Sequence, residues 1–144
     1  MLKQMEQFIK EWVQALSCCD IDRLAALCAP DYQGEEVNSA ELQYGPNGMR
    51  QHMSRYLLAF PDLCIVAEEP VYQGSRVVLP WIAQGTHQGP LLHIPASGRN
   101  VSVRGVSLLT VKDGKVTHGL HVWDVAGLLR ALGLLPDLPP VKQG

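Results

Sequence analysis

RGVSLLTVKDGKVTHGLHVWDVAGLLRALG, Arg104 to Gly133, sets the reading of the whole chain. Two apolar runs flank Lys112-Asp113-Gly114, and an Asp-Gly step between such runs marks a hairpin. In the second run His118, Leu120, Val122 and Asp124 recur at period two, so all four share one face. The run then breaks into VAGLLRALG, a short helix stopped by Gly133. Asp124 therefore stands at the seam between an apolar strand and a helix. A carboxylate there can be buried at one end of a pocket, or it can serve as the helix N-cap.

The turn decides which residues meet across the hairpin. A turn with a glycine bulge sets Leu108 opposite His118 and gathers Arg104, Val106, Leu108 and Thr110 on the face of His118, Leu120, Val122 and Asp124. A two-residue turn puts Arg104 with His121 and Trp123 instead, because a slip of one residue flips every side chain. We prefer the bulged turn, since it collects the polar groups around Asp124.

Upstream of the hairpin, LCIVAEEPVYQG and SRVVLPWIAQGTH read as two antiparallel strands turning near Gln73-Gly74-Ser75. In the second, Val77, Leu79, Trp81 and Ala83 face one way, and Val78, Pro80 and Ile82 the other. Both faces are apolar, whereas an antiparallel sheet normally has one wet face. Helices can cover the Trp81 face, and a second copy of the chain is the expected cover for the Ile82 face. Pro80 cannot donate to a ladder, so an edge or a bulge is expected there. The intervening QGPLLHIPASGR, residues 88–99, is too apolar for a plain solvated loop and suits a pocket mouth or an interface.

The N-terminal third is helical. Residues 2–18 place Met5, Phe8, Ile9, Trp12, Val13 and Leu16 at helical spacing. Asp20 suits the N-cap of a second helix, Ile21 to Cys28. A short strand is expected near Tyr32 and an irregular loop over residues 34–45. Gly45-Pro46 opens a third helix with the apolar stripe Met49, Met53, Tyr56, Leu57 and Phe60, and Pro61 ends it. His52 borders that stripe and reads as a boundary histidine rather than a ligand. The tail LLPDLPPVKQG is expected to be extended.

Composition bounds the function. The 144 residues suit a single domain spanning 1–144, and 47% hydrophobic with 18% charged residues is ordinary for a globular chain. A net charge of -2 without a Lys/Arg cluster argues against nucleic acid. No run is long and apolar enough to suggest a membrane span. The start MLKQMEQFIKEW intersperses charges among apolar residues, unlike a signal peptide. Cys18, Cys19, Cys28 and Cys64 lack Cys-x-x-Cys spacing, so reduced thiols and a cytoplasmic setting are expected. His118 and His121 fall on opposite strand faces and cannot share a metal, and no phosphate loop is present. We expect neither a metal nor a cofactor.

The element order, helices followed by a long antiparallel sheet and a terminal helix, is an α+β pattern. A curved sheet wrapped by the N-terminal helices would enclose a conical pocket. GPNGMRQHMSRYLLAFPDL and the region from Gly74 to Gly133 resemble the SnoaL-like polyketide cyclases of the nuclear transport factor 2-like superfamily. The most specific pieces are Gly85-Thr86-His87, Asp113-Gly114-Lys115, and Trp123-Asp124 leading into Gly127-Leu128-Leu129. The resemblance implies a curved antiparallel sheet closing a conical pocket, and cofactor-free ring closure by an aspartate acting as acid and base. By position that residue is Asp124. His93, Ala96-Ser97 and Gly119-Leu120 depart from the usual family pattern, which bears on the substrate more than on the fold.

Proton abstraction beside a carbonyl needs one base and a donor for the enolate oxygen. On this reading Asp124 is the base. His118, Arg104 or the Trp81 indole supplies the donor, with His118 preferred. Trp81, Leu120, Val122, Met53, Tyr56 and Phe60 complete the pocket around a small apolar organic substrate such as a polycyclic or aromatic ketone-ester. Two alternatives remain open. One is an epoxide hydrolase, for which Arg104 and Asp124 supply two members of an aspartate-arginine-aspartate set. The other is a binding module without turnover.

Overall fold

The computed structural model describes residues 2–141. Helices α1 (Leu2–Ser17) and α2 (Ile21–Ala26) lead into β1 (Cys28–Glu36), β2 (Gln43–Tyr44) and α3 (Gly45–Ala59). Strands β3 (Cys64–Ala67), β4 (Val71–Gln73), β5 (Arg76–Thr86), β6 (Asn100–Lys112) and β7 (Lys115–Trp123) follow, and α4 (Val125–Ala131) ends the ordered elements. One seven-stranded sheet runs β2-β1-β7-β6-β5-β3, with β4 also on β5. All pairs are antiparallel except β1 with β7. The expected architecture of helices against an antiparallel sheet is the one observed.

Local chemistry explains the helix ends. Asp20 caps α2 by accepting from the Arg23 amide at 3.1 Å. Pro46 lies in the first turn of α3, where its missing N–H costs nothing. The stripe of α1 buries Phe8, Ile9, Trp12 and Ala15. Residues 134–141 of the tail form neither helix nor strand and are exposed, and the last three residues of that expected extended tail lie outside the described residues.

The hairpin turn differs from the expected one. Asp113 (φ 52°) and Gly114 (φ 72°) both adopt left-handed backbone, the two-residue turn that matches strand twist. Lys112 pairs with Lys115, and the extra residue enters one step later, at Thr117, between the pairs Val111–Val116 and Thr110–His118. That bulge restores the predicted grouping. Arg104, Val106, Leu108 and Thr110 do share a face with His118, Leu120 and Val122, and it is the outer face of the sheet. Val106 is 39% and Val122 44% exposed, whereas Ser107, Leu109, His121 and Trp123 on the opposite face are buried.

One further expectation needs correction and another is narrowed. The strand predicted near Tyr32 extends from Cys28 to Glu36, so it takes the C-terminal end of the predicted second helix and the start of the predicted loop. Pro80 lies in a strand paired on both sides rather than at an edge, and the bulge alternative holds, because residues 68–70 stand opposite Leu79 and Pro80 alone between the pairs Ala67–Trp81 and Val71–Val78. Its carbonyl accepts from the Glu68 amide, so its missing N–H also points toward the β3–β4 side. The chain between β3 and β4, residues 68–70, interrupts the ladder there, and the absent donor is harmless.

Candidate functional site

Two apolar clusters meet inside the molecule. One joins α1, α2 and α3 to the sheet through Trp12, Met49, Leu79 and Leu109, and the other joins α3 and α4 through Phe60, Val101, Trp123 and Leu128. A cavity of about 110 Å³ lies where they meet. Four predicted pocket residues line it: Met53, Tyr56, Phe60 and Trp81. The loop after β5 contributes Leu91, as its apolar character suggested, while Leu92 is 42% exposed.

The other five predicted site residues lie elsewhere. Asp124 is exposed and accepts from the Gly127 amide at 2.8 Å, so it caps α4 and does not line the cavity. A residue just after Trp123 continues the outward parity of Val122, which leaves the Asp124 carboxylate free to cap the helix. Arg104 is exposed on the outer face and pairs with Glu68 at 2.8 Å. His118 stands 3.1 Å from Glu35 on that same face. Leu120 and Val122 share it as well. Arg104 and Asp124 therefore do not assemble a hydrolase set.

The polar groups inside the cavity come from four elements, β1, β6, β7 and α3, and of them only Tyr56 and the Trp81 indole were expected there. Glu36 at the end of β1 pairs in register with His121 of β7, which in turn pairs with Ser107 of β6. Helix α3 brings His52 and Tyr56 down onto them. Glu36 is only 5% exposed, and its Oε1 accepts from the Tyr56 hydroxyl at 2.5 Å and the Trp123 indole at 2.7 Å. Its Oε2 lies 3.4 Å from His52 Nδ1, which is also 3.0 Å from the Gln43 side-chain amide. The imidazoles of His52 and His121 stack with centroids 5.4 Å apart. Behind His121, the Trp81 indole donates to Ser107 Oγ at 3.0 Å, and Ser107 Oγ lies 2.8 Å from His121 Nδ1. His121 Nε2 is buried without a hydrogen-bond partner.

Burial sets the protonation of this group. It pushes His52 down to about 4, with Arg55 adding to the effect. It pushes His121 down to about 3, with the neighbouring His52 next in size and Glu36 opposing. Both rings are therefore neutral at physiological pH, and Glu36 lies beside His52 without an ion pair between them. Burial first, then the Glu36 carboxylate, holds the Tyr56 phenol well above its ordinary value, so it remains a donor.

One signal could have found Glu36: Tyr32, Gly34 and Glu36 alternate as strand residues do. Pro30 and Gly34 masked it. His121 was visible as the residue of opposite parity to His118, but the chosen face excluded it. Among the described residues no group of three or more His, Cys, Asp and Glu side chains is placed to hold a metal, and no helix is long and apolar enough to cross a membrane.

The model of the SnoaL-like polyketide cyclases matches residues 6–132, and the chain belongs to that family. Its fold is the nuclear transport factor 2-like fold. Among solved structures, AclR of Streptomyces galilaeus, a candidate hydroxylase, is 29% identical with a TM-score of 0.81 over 96% of this chain and 90% of that one. TsrD of Streptomyces laurentii is 29% identical with a TM-score of 0.79, over 92% and 97% of the two chains. IdmH of Streptomyces antibioticus, a candidate polyketide cyclase, is 24% identical with a TM-score of 0.74 over 89% and 97%, a likeness of fold. No curated protein sequence matches.

Proposed function

We propose that the protein is a cofactor-independent cyclase or isomerase whose acid–base chemistry is carried by His52, His121 and Glu36 rather than by an aspartate. The observation that carries this reading is the pair of neutral, stacked imidazoles beside a buried carboxylate in the wall of an apolar cavity.

The hydrogen bonds support an assignment of roles. Trp81 donates to Ser107, and we assign the Ser107 hydroxyl hydrogen to His121 Nδ1. The His121 proton then sits on Nε2, the orphan nitrogen, as a donor for a carbonyl or enolate oxygen. Glu36 draws the His52 proton to Nδ1. This assignment takes the Gln43 side-chain amide, whose Nε2 lies 3.0 Å from His52 Nδ1, in its other orientation, so that Oε1 accepts there. His52 Nε2 is then the base. It removes a proton from a carbon beside a carbonyl, and the imidazolium so formed faces the Glu36 carboxylate. The enolate attacks a second carbonyl of the same substrate, closing a ring, and His52 returns its proton to the new alkoxide. A weakly basic imidazole selects an acidic carbon, as between the ketone and ester of an aromatic ketone-ester.

Deuterium uptake at the activated methylene of an aromatic β-keto ester in D2O tests this. Saturable binding without accelerated uptake would leave only a binding module. We further propose that the chain pairs with a second copy through the outer sheet face, where Val66 (58%), Val106 (39%) and Val122 (44%) are exposed beside half-buried Ile82.

A further inference from the structure

The cavity holds a buried carboxyl group without a cationic partner. Glu36 is buried, and its three polar neighbours, Tyr56, Trp123 and His52, are all neutral groups. Neutral donors satisfy the lone pairs of a carboxylate but supply no compensating charge, and an unpaired buried charge is strongly disfavoured. Among the described residues no lysine or arginine lines the cavity. The nearest arginine along α3, Arg55, is exposed and engaged with Glu41. The cavity has five aromatic walls, Trp12, Tyr56, Phe60, Trp81 and Trp123, of which Tyr56 and Trp123 touch the Glu36 carboxyl group. Aromatic faces attract cations, most strongly where water is excluded.

We infer that the cavity takes a ligand carrying a protonated or quaternary amine on an apolar body, with the cation set against Glu36 and the aromatic walls. The inference rests on the proposed reading in using the same cavity, and it names the substrate class: an amine-bearing carbonyl compound. It also gives Glu36 a second task beside orienting His52. Ligand cation and carboxylate offset one another's desolvation, which a neutral ligand cannot do.

All three tryptophans of the chain line the cavity, so their fluorescence reports occupancy directly. Titration with benzyltrimethylammonium, and separately with its uncharged carbon analogue neopentylbenzene, measures the worth of the charge at constant shape. The wild-type protein should bind the cation at least about tenfold more tightly. Glu36→Gln keeps an acceptor for Tyr56 and Trp123 but removes the charge. It should abolish the difference while leaving neopentylbenzene affinity unchanged, which also shows that the cavity is intact. Equal or tighter binding of the neutral analogue by the wild type would overturn the inference, and so would a preference that survives in the Gln variant. Deuterium uptake by the keto ester is scored separately. Uptake without a cation preference leaves the cyclase reading standing and removes this one, and a cation preference without uptake does the reverse.

Discussion

Two imidazoles packed ring to ring inside an apolar cavity cannot both carry a proton without heavy cost. His52 and His121 are held near 4 and 3, against an ordinary value of 6.5. Between those values the unfolded chain binds protons that the folded chain refuses, so stability rises with pH. The contribution is complete above about pH 6.5 and falls by roughly 1.4 kcal/mol per pH unit per histidine as the pH drops toward 4. Thermal melts between pH 7 and pH 4.5 should show this decline. The double variant His52→Gln with His121→Gln should flatten the part due to these rings, and a variant curve parallel to wild type would refute it. At this scale the sequence named four residues that line the cavity and an acid that does not. Asp124 was conspicuous because it ends a strand, yet the parity that groups it with Val122 also points it outward. Whether a face is inner or outer depends on which side the helices pack, and the alternation of one strand carries no such information.

At the scale of elements, the hairpin, α1 and α3 were legible because period and punctuation agree there. β1 was not, because Ala29-Pro30-Asp31 and Gly34 read as breakers. Its pairing with β7 is long-range and parallel, with the register shifting between Cys28 and Gln33. That strand delivers Glu36, so the misread element is also the one that completes the site. β6 adds a second constraint. Gly105 lies beneath the Trp81 ring, and a Cβ there would collide with it. Gly105→Ala should displace Trp81, break its bond to Ser107 and destabilise the protein by about 1–3 kcal/mol. Melting together with a shifted tryptophan emission would show this. Unchanged melting and emission would mean that the ring is not seated as described.

For the whole molecule, the sheet has one face closed by α1, α3 and α4 and one face open. The apolar residues on the open face were visible in the sequence as the Val78–Ile82 parity. If that face joins two copies, sedimentation at micromolar concentration should give a dimer. Ile82→Lys should shift it toward monomer by burying an unpaired charge. A monomeric wild type would contradict the pairing. The cavity belongs to the other face, so the lysine variant should keep its ligand binding.

The claim at the centre is that proton transfer belongs to the cavity imidazoles and not to the helix cap. Deuterium uptake by an aromatic β-keto ester, followed by proton NMR for the wild type and single variants, tests it most directly. His52→Gln should lower the rate by a factor on the order of 100 or more, the usual loss for a removed general base. Asp124→Asn should leave it within about a factor of two, since asparagine caps a helix as well as aspartate does. Collapse of uptake in Asp124→Asn, with full activity in His52→Gln, would contradict the account.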